Sequence, residues 1–186
     1  MIIQLCGLSG AGKSTIAKNV QRKAAAYGTP IEIIDGDIYR ESLCRDLGFS
    51  KEDRCENIRR LGFVASRLSN YGIICIISAI NPYEAIRQEL SANYADVKTV
   101  FIDCAVDKLI ARDTKGLYKR ALLPDGHPDK LNNFTGINDP FEIPSQPDLH
   151  LRTDEQSLTV CTNLFLQFIN QSLALQQAQY ASAASN

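Results

Sequence analysis

Residues 7–14 read Gly7-Leu8-Ser9-Gly10-Ala11-Gly12-Lys13-Ser14, a filled G-x-x-x-x-G-K-S pattern that limits what the rest of the chain can be. The apolar run 2–6 before it reads as a strand, and the pattern of 14–27 after it reads as a helix. A glycine-rich turn in that setting folds its backbone tightly, aims amide hydrogens inward and adds the positive end of the helix. Such a turn holds a phosphate chain. Ser9, Gly10, Ala11, Gly12, Lys13, Ser14 and Thr15 are therefore the expected nucleotide-binding residues. Lys13 should reach the β- and γ-phosphates, and the Ser14 hydroxyl should ligate Mg2+.

Short apolar runs alternate with helical patterns along the chain. Strands are expected at 2–6, 31–35, 73–78, 99–103 and 148–151. Helices are expected at 13–27, 38–46, 52–70, 82–93, 106–112 and 155–177. Strands that are apolar almost throughout, each followed by a helix, predict an α/β fold with a five-stranded parallel sheet covered on both faces. Together with the phosphate loop this is a P-loop NTPase of nucleotide-kinase-like type, one domain over 1–178 with a tail at 179–186 expected to fray. Residues 113–147 break the alternation with Gly116, Gly126, Gly136 and five prolines. Loops of that length inside compact domains are usually functional, and a mobile lid closing over a nucleotide fits, because closure excludes water from phosphoryl transfer.

Composition narrows the class. The 186 residues carry a formal net charge of −1, so no electrostatic footprint for nucleic acid is expected. No run approaches the ~18 apolar residues of a membrane span. The N-terminus enters a strand directly and lacks the pattern of a signal peptide. None of the six cysteines forms a C-x-x-C pair; small buried thiols in a reducing cytoplasm are the simplest reading. Base-reading N-K-x-D signatures of GTPases are absent, which favours a kinase of metabolite or nucleotide type.

The second strand runs into Asp35-Gly36-Asp37. Ligands in open α/β sheets sit beyond the carboxyl ends of strands, so both carboxylates should face the phosphate loop. A carboxylate there can hold Mg2+ or accept the proton of an attacking hydroxyl. Next come Arg40, Arg45, Arg54, Arg59 and Arg60. Guanidinium groups suit an anionic acceptor, but a solvated helix face with paired charges explains Arg45 and Arg59 or Arg60 equally well.

Five stretches together decide between these: GLSGAGKST, the DGD turn, LGFSKEDRCENIRR, DTKGLYKRA and NNFTGINDPFEIP. In this order and spacing the chain resembles the adenylylsulfate kinases over nearly all its length to Thr153. The resemblance implies transfer of a phosphoryl group from MgATP to the 3′-hydroxyl of adenosine 5′-phosphosulfate. It implies Asp37 as base and Mg2+ helper, and Lys115 at the acceptor and its reacting phosphate. Arg40, Arg54 and Asn57 would bind the acceptor, Phe49 and Phe134 would sandwich its adenine, and Ile80 and Asn81 would line its pocket. Arg112 would lie near the ATP adenine. Lys13, Asp37 and Lys115 form the catalytic set, and Ser14 with Asp37 the metal set. Relatives are commonly dimers, so a homodimer is implied, and a functional link to an ATP sulfurylase is left open.

The chain departs from the family at four places. The family's S-F-I-S-P is Ser78-Ala79-Ile80-Asn81-Pro82, so a serine phosphorylated in some members is Asn81. The D-G-D-N turn ends in Ile38, D-P-K-G carries Thr114, and Leu123–Lys130 (LPDGHPDK) is extra. All four touch the acceptor pocket or lid. They leave a second reading in which the same chemistry acts on another nucleotide, such as a cytidine diphosphate amidate in surface-polysaccharide biosynthesis.

Overall fold

The computed structural model describes residues 1–184. The elements run β1 (Ile2–Cys6), α1 (Lys13–Ala25), β2 (Ile31–Asp35), α2 (Gly36–Arg40), α3 (Lys51–Ser69), β3 (Ile74–Ser78), α4 (Glu84–Asn93), β4 (Val97–Asp103), α5 (Val106–Arg112), α6 (Leu117–Ala121), β5 (Leu149–Arg152) and α7 (Leu158–Ala184). The five strands pair in parallel in the order β2-β3-β1-β4-β5. The expected α/β class and five-stranded parallel sheet are what the chain forms.

Alternation along each strand divides the core into two layers. Ile3, Leu5, Ile74 and Ile76 face α1 and α7, and Phe165 and Ile169 of α7 pack there with Leu109 and Tyr118. Ile2, Ile34, Cys75 and Ile77 face α3 and α4, meeting Ile58, Leu61, Ile86 and Leu90. Side chains of a strand point alternately to opposite faces, so a run without polar breaks requires helices on both sides.

Several boundaries differ from the expected ones for local reasons. The helix expected at 38–46 is the short α2, whose N-cap Asp35 accepts from the Asp37 amide at 3.0 Å and starts it early. The helix expected at 52–70 begins one residue sooner, at Lys51, because the Ser50 hydroxyl caps the Asp53 amide. The 113–147 stretch, whose glycines and prolines read as loop, contains a helix, α6. Gly116 precedes it in the left-handed conformation, and the Asp113 carboxylate accepts from the Tyr118 and Lys119 amides at 3.0 and 2.9 Å. The last helix reaches Ala184 rather than 177, since its Ala- and Gln-rich end is made of good helix formers. Ser185 and Asn186 of the expected frayed tail lie outside the described residues. No helix among the described residues is long and apolar enough to cross a membrane.

Candidate active site

Parallel pairing brings the carboxyl ends of β1, β2 and β3 side by side. Asp35 pairs with Ser78, and Leu5 pairs with Ser78 from the other side. The phosphate loop leaves β1 at Gly7, whose φ is 150°; a Cβ there would lie 2.2 Å from the Ile102 carbonyl oxygen. Glycine alone fits. Gly12 takes φ 99° and turns the chain into α1 at Lys13.

Lys13 is buried beneath this loop. Its Nζ donates to the Gly7 and Leu8 carbonyls, each at 2.8 Å. Burial pushes its pKa down to about 8, against the pull of the Asp37 carboxylate. One residue on, Ser14 Oγ donates to Asp35 Oδ2 at 2.7 Å and lies 2.9 Å from Ser78 Oγ. Three oxygens thus converge at the start of α1.

Asp37 sits apart from this group. Its side chain is 77% exposed and its Oδ2 accepts from Lys115 Nζ at 2.7 Å. The carboxylate that meets Ser14 is thus that of Asp35, while Asp37, the partner expected from the sequence, lines the same cleft. Strand register explains the exchange. Asp35 closes β2 opposite Ser78, whereas Asp37 already belongs to α2 and faces the 113–147 segment.

A cleft of about 730 Å³ runs from the phosphate loop to that segment. Ser9, Gly10, Gly12, Lys13, Ser14, Thr15, Asp37, Phe49, Arg54, Ile80, Lys115 and Phe134 of the expected set line it. Arg54 crosses to the far wall: its Nε donates to the Phe49 carbonyl at 3.1 Å and its Nη2 to the Asn133 carbonyl at 2.5 Å. Asp139 adds an ion pair at 3.5 Å. Phe49 is 56% exposed beneath two guanidiniums, Arg40 at 4.6 Å and Arg54 at 5.4 Å from its ring centre. Phe134 is only 7% exposed and meets the Tyr118 ring edge-on at 4.9 Å.

Five expected residues do not line the cleft. The side chain of Ala11 is buried in the core, and Asn57 is buried one turn beyond Arg54, its Oδ1 without a hydrogen-bond partner among the described residues. Arg40 reaches the cleft only through the Phe49 ring, and donates to the Gly48 carbonyl at 2.8 Å. Arg112 lies behind the phosphate loop, where its Nη2 donates to the Thr153 carbonyl at 3.4 Å. Asn81 is corrected outright: it is 1% exposed, turned away from the cleft, and its Nδ2 donates to Gln4 Oε1 at 3.0 Å. A φ of 48° at Asn81 turns the strand end so that Ile80, not Asn81, borders the cleft.

The expected site set leaves out Ser78, Thr114, Arg120, Lys130 and Asn133, all of which line the cleft, although the departures at Thr114 and in the segment ending at Lys130 already point to the acceptor pocket or lid. The parallel-sheet register could have found Ser78, as the residue opposite Asp35. The others depend on how 113–147 folds back, which no local pattern encodes. The remaining arginines behave as a solvated face: Arg59 pairs with Glu89 at 2.6 Å and Arg60 with Asp46 at 2.6 Å.

A parallel sheet with a phosphate loop between β1 and α1, a serine–carboxylate group beside it and a cleft reaching past them is the site of a P-loop kinase. Residues 1–152 match the family model described as adenylylsulphate kinase. An adenylyl-sulfate kinase of Chloroflexus aurantiacus is 46% identical over 166 residues, spanning 89% of this chain and 87% of its own length. One from a Synechococcus species is 45% identical over 161 residues, spanning 87% and 89%. Among solved structures, the Mycobacterium tuberculosis APS kinase CysC in complex with AMPPNP and APS superposes with a TM-score of 0.83 at 35% identity. That match covers 91% of this chain and 96% of the other. The chain belongs to the adenylylsulphate kinase family.

Proposed function

We propose that this chain transfers the γ-phosphoryl group of MgATP to the ribose 3′-hydroxyl of adenosine 5′-phosphosulfate, giving 3′-phosphoadenosine 5′-phosphosulfate. The observation that carries this reading is one continuous cleft. It begins at a phosphate loop and ends at a wall holding an arginine and two phenylalanines, room enough for a donor and an acceptor nucleotide. The M. tuberculosis relative, captured with both an ATP analogue and APS, supports the same division.

The residues then take these parts. Amides of 9–14 and the Lys13 ammonium face the charge that builds on the transferring group. Asp35 and Ser78 each place a hard oxygen within 2.9 Å of the Ser14 hydroxyl, a set that fits Mg2+, with Ser14 and Asp35 as its holders. Bound there, the ion would neutralise phosphate charge. Asp37 accepts the proton of the attacking hydroxyl, and its contact with Lys115 fixes its carboxylate at the mouth of the cleft. Phe49 stacks the acceptor base, Phe134 closes the pocket beneath it, and Arg54 meets the acceptor's anion. Residues 113–147 act as the lid. Six free cysteines fit a reducing cytoplasm, and an ATP sulfurylase would supply the acceptor.

ADP release with ATP against a panel of acceptors tests the proposal. Adenosine 5′-phosphosulfate should give far the highest kcat/KM. Preference for a cytidine nucleotide would overturn it.

A further inference from the structure

The cleft is far more basic than the chain that forms it. Lys13, Arg54, Lys115, Arg120 and Lys130 line it against two carboxylates, Asp35 and Asp37, in a protein of net charge −1. Three of these cations already have partners inside the site. Lys13 is held by the loop carbonyls, Lys115 by Asp37, and Arg54 by Asn133 and Asp139. Arg120 and Lys130 are different. Arg120 donates through Nε to the Asp129 carbonyl at 3.2 Å, and its two terminal nitrogens meet no acceptor among the described residues. Among the described residues Lys130 pairs only with Asp125, whose side chain is fully exposed at 100% while Lys130 itself is 16% exposed. Water screens such a partner strongly, and an anion in the cleft would replace it at little cost.

The extra segment Leu123–Lys130 brings Lys130 back to Arg120, which stands on α6. It leaves the lid at Arg120 and returns there, since the Leu131 amide donates to the Arg120 carbonyl at 3.3 Å. The excursion is closed by the His127 amide on the Pro124 carbonyl at 3.2 Å and the Lys130 amide on the His127 carbonyl at 3.0 Å. Its base therefore sets Lys130 beside Arg120. The same strand of chain continues into Asn133, which holds Arg54, and Phe134, so the pair belongs to the far wall rather than to the phosphate loop.

We propose that Arg120 and Lys130 form an anion grip that reads the oxyanion arm of the acceptor nucleotide, and that the lid insertion supplies the Lys130 half of it. This rests on the proposed function, in which the acceptor occupies the far wall. A guanidinium fork with two free donors beside an ammonium suits a phosphate-type oxyanion, and discriminates against acceptors whose 5′ substituent is neutral.

The test varies acceptor and ATP separately in steady-state assays of wild type, Arg120→Gln, Lys130→Met and the double variant. Each single change should raise acceptor KM roughly tenfold, the worth of a hydrogen bond to a charged partner, and the pair more, with ATP KM within about twofold. Arg120→Lys should recover most of the loss, because it keeps the charge. An acceptor KM unchanged in the double variant would overturn the proposal. A rise confined to ATP KM would do so too, since the anion read would then be the donor's. Equal rises in both KM values with a lowered melting temperature would assign the pair a structural role and also overturn it. If wild type turns over no adenosine 5′-phosphosulfate, the proposed function fails. The same variants are then titrated with a cytidine diphosphate amidate, the acceptor of the second reading, and a tenfold loss there keeps the grip while no loss or no binding removes it.

Discussion

Phe49 and Phe134 are paired by family resemblance as two sides of one stack, yet their surroundings give truncation opposite consequences. Phe134 lies in the main core at 7% exposure, edge-on to Tyr118, whose own hydroxyl donates to the Ser9 carbonyl at 2.8 Å. Truncating a buried phenylalanine to alanine costs about 3–5 kcal/mol, and one face of this ring borders the cleft, so about 3 kcal/mol is the fair figure. At roughly 2–4 °C per kcal/mol for a chain of this length, Phe134→Ala should melt about 6–12 °C below wild type. Phe49 is more than half exposed, and its loss removes two guanidinium–ring contacts worth about 1 kcal/mol together, or about 2–4 °C. Its effect should appear instead in acceptor KM, raised about five- to a hundredfold by loss of stacking worth about 1–3 kcal/mol, with ATP KM unchanged. Scanning calorimetry beside two-substrate kinetics separates the cases. A Phe134→Ala protein melting within about 2 °C of wild type would refute the core assignment.

Asp35→Asn should lower kcat at least a hundredfold and raise the Mg2+ concentration needed for half-maximal rate, because Asp35 rather than Asp37 meets Ser14; an unchanged Mg2+ requirement would return the metal role to Asp37. Asp37→Asn should lower kcat comparably while leaving the Mg2+ requirement alone, as expected of a group that acts on the hydroxyl. The Lys13 pKa, depressed to about 8, makes the free enzyme lose this ammonium as pH rises through that value. kcat/KM for ATP should therefore fall about tenfold per pH unit above about pH 8, and a flat profile to pH 10 would contradict it. Gly7→Ala should fail to fold at 37 °C or melt far below wild type, since its Cβ would strike the Ile102 carbonyl; a normal melting curve would show that β1 and β4 can shift apart.

The phosphate loop and the strands were legible because their signals are local. Motif, apolar run and helical period lie within a few residues of each other, and β1 and β2 fall where expected. Harder to read was anything decided by register or by long-range return of the chain. Asp35 and Asp37 are two residues apart, and only pairing with Ser78 tells which one faces Ser14. The helix α6 was hidden because Gly116 looks like loop chemistry until Asp113 is seen capping two amides beyond it. Asn81 follows a pocket-forming strand in sequence, but its backbone at φ 48° sends the side chain to Gln4 instead. Arg54 was foreseen as an anion ligand, while its anchors Asn133 and Asp139, some eighty residues on, carry no sequence signal of that role.

Product analysis tests the central claim most directly. Purified protein is incubated with MgATP and adenosine 5′-phosphosulfate, and the products are identified by mass spectrometry and phosphorus NMR. The expected result is one ADP formed for each acceptor consumed, with the new phosphate on the ribose 3′-oxygen and the phosphosulfate intact. ADP formation no faster than without acceptor, or a phosphate on any other oxygen, would contradict it.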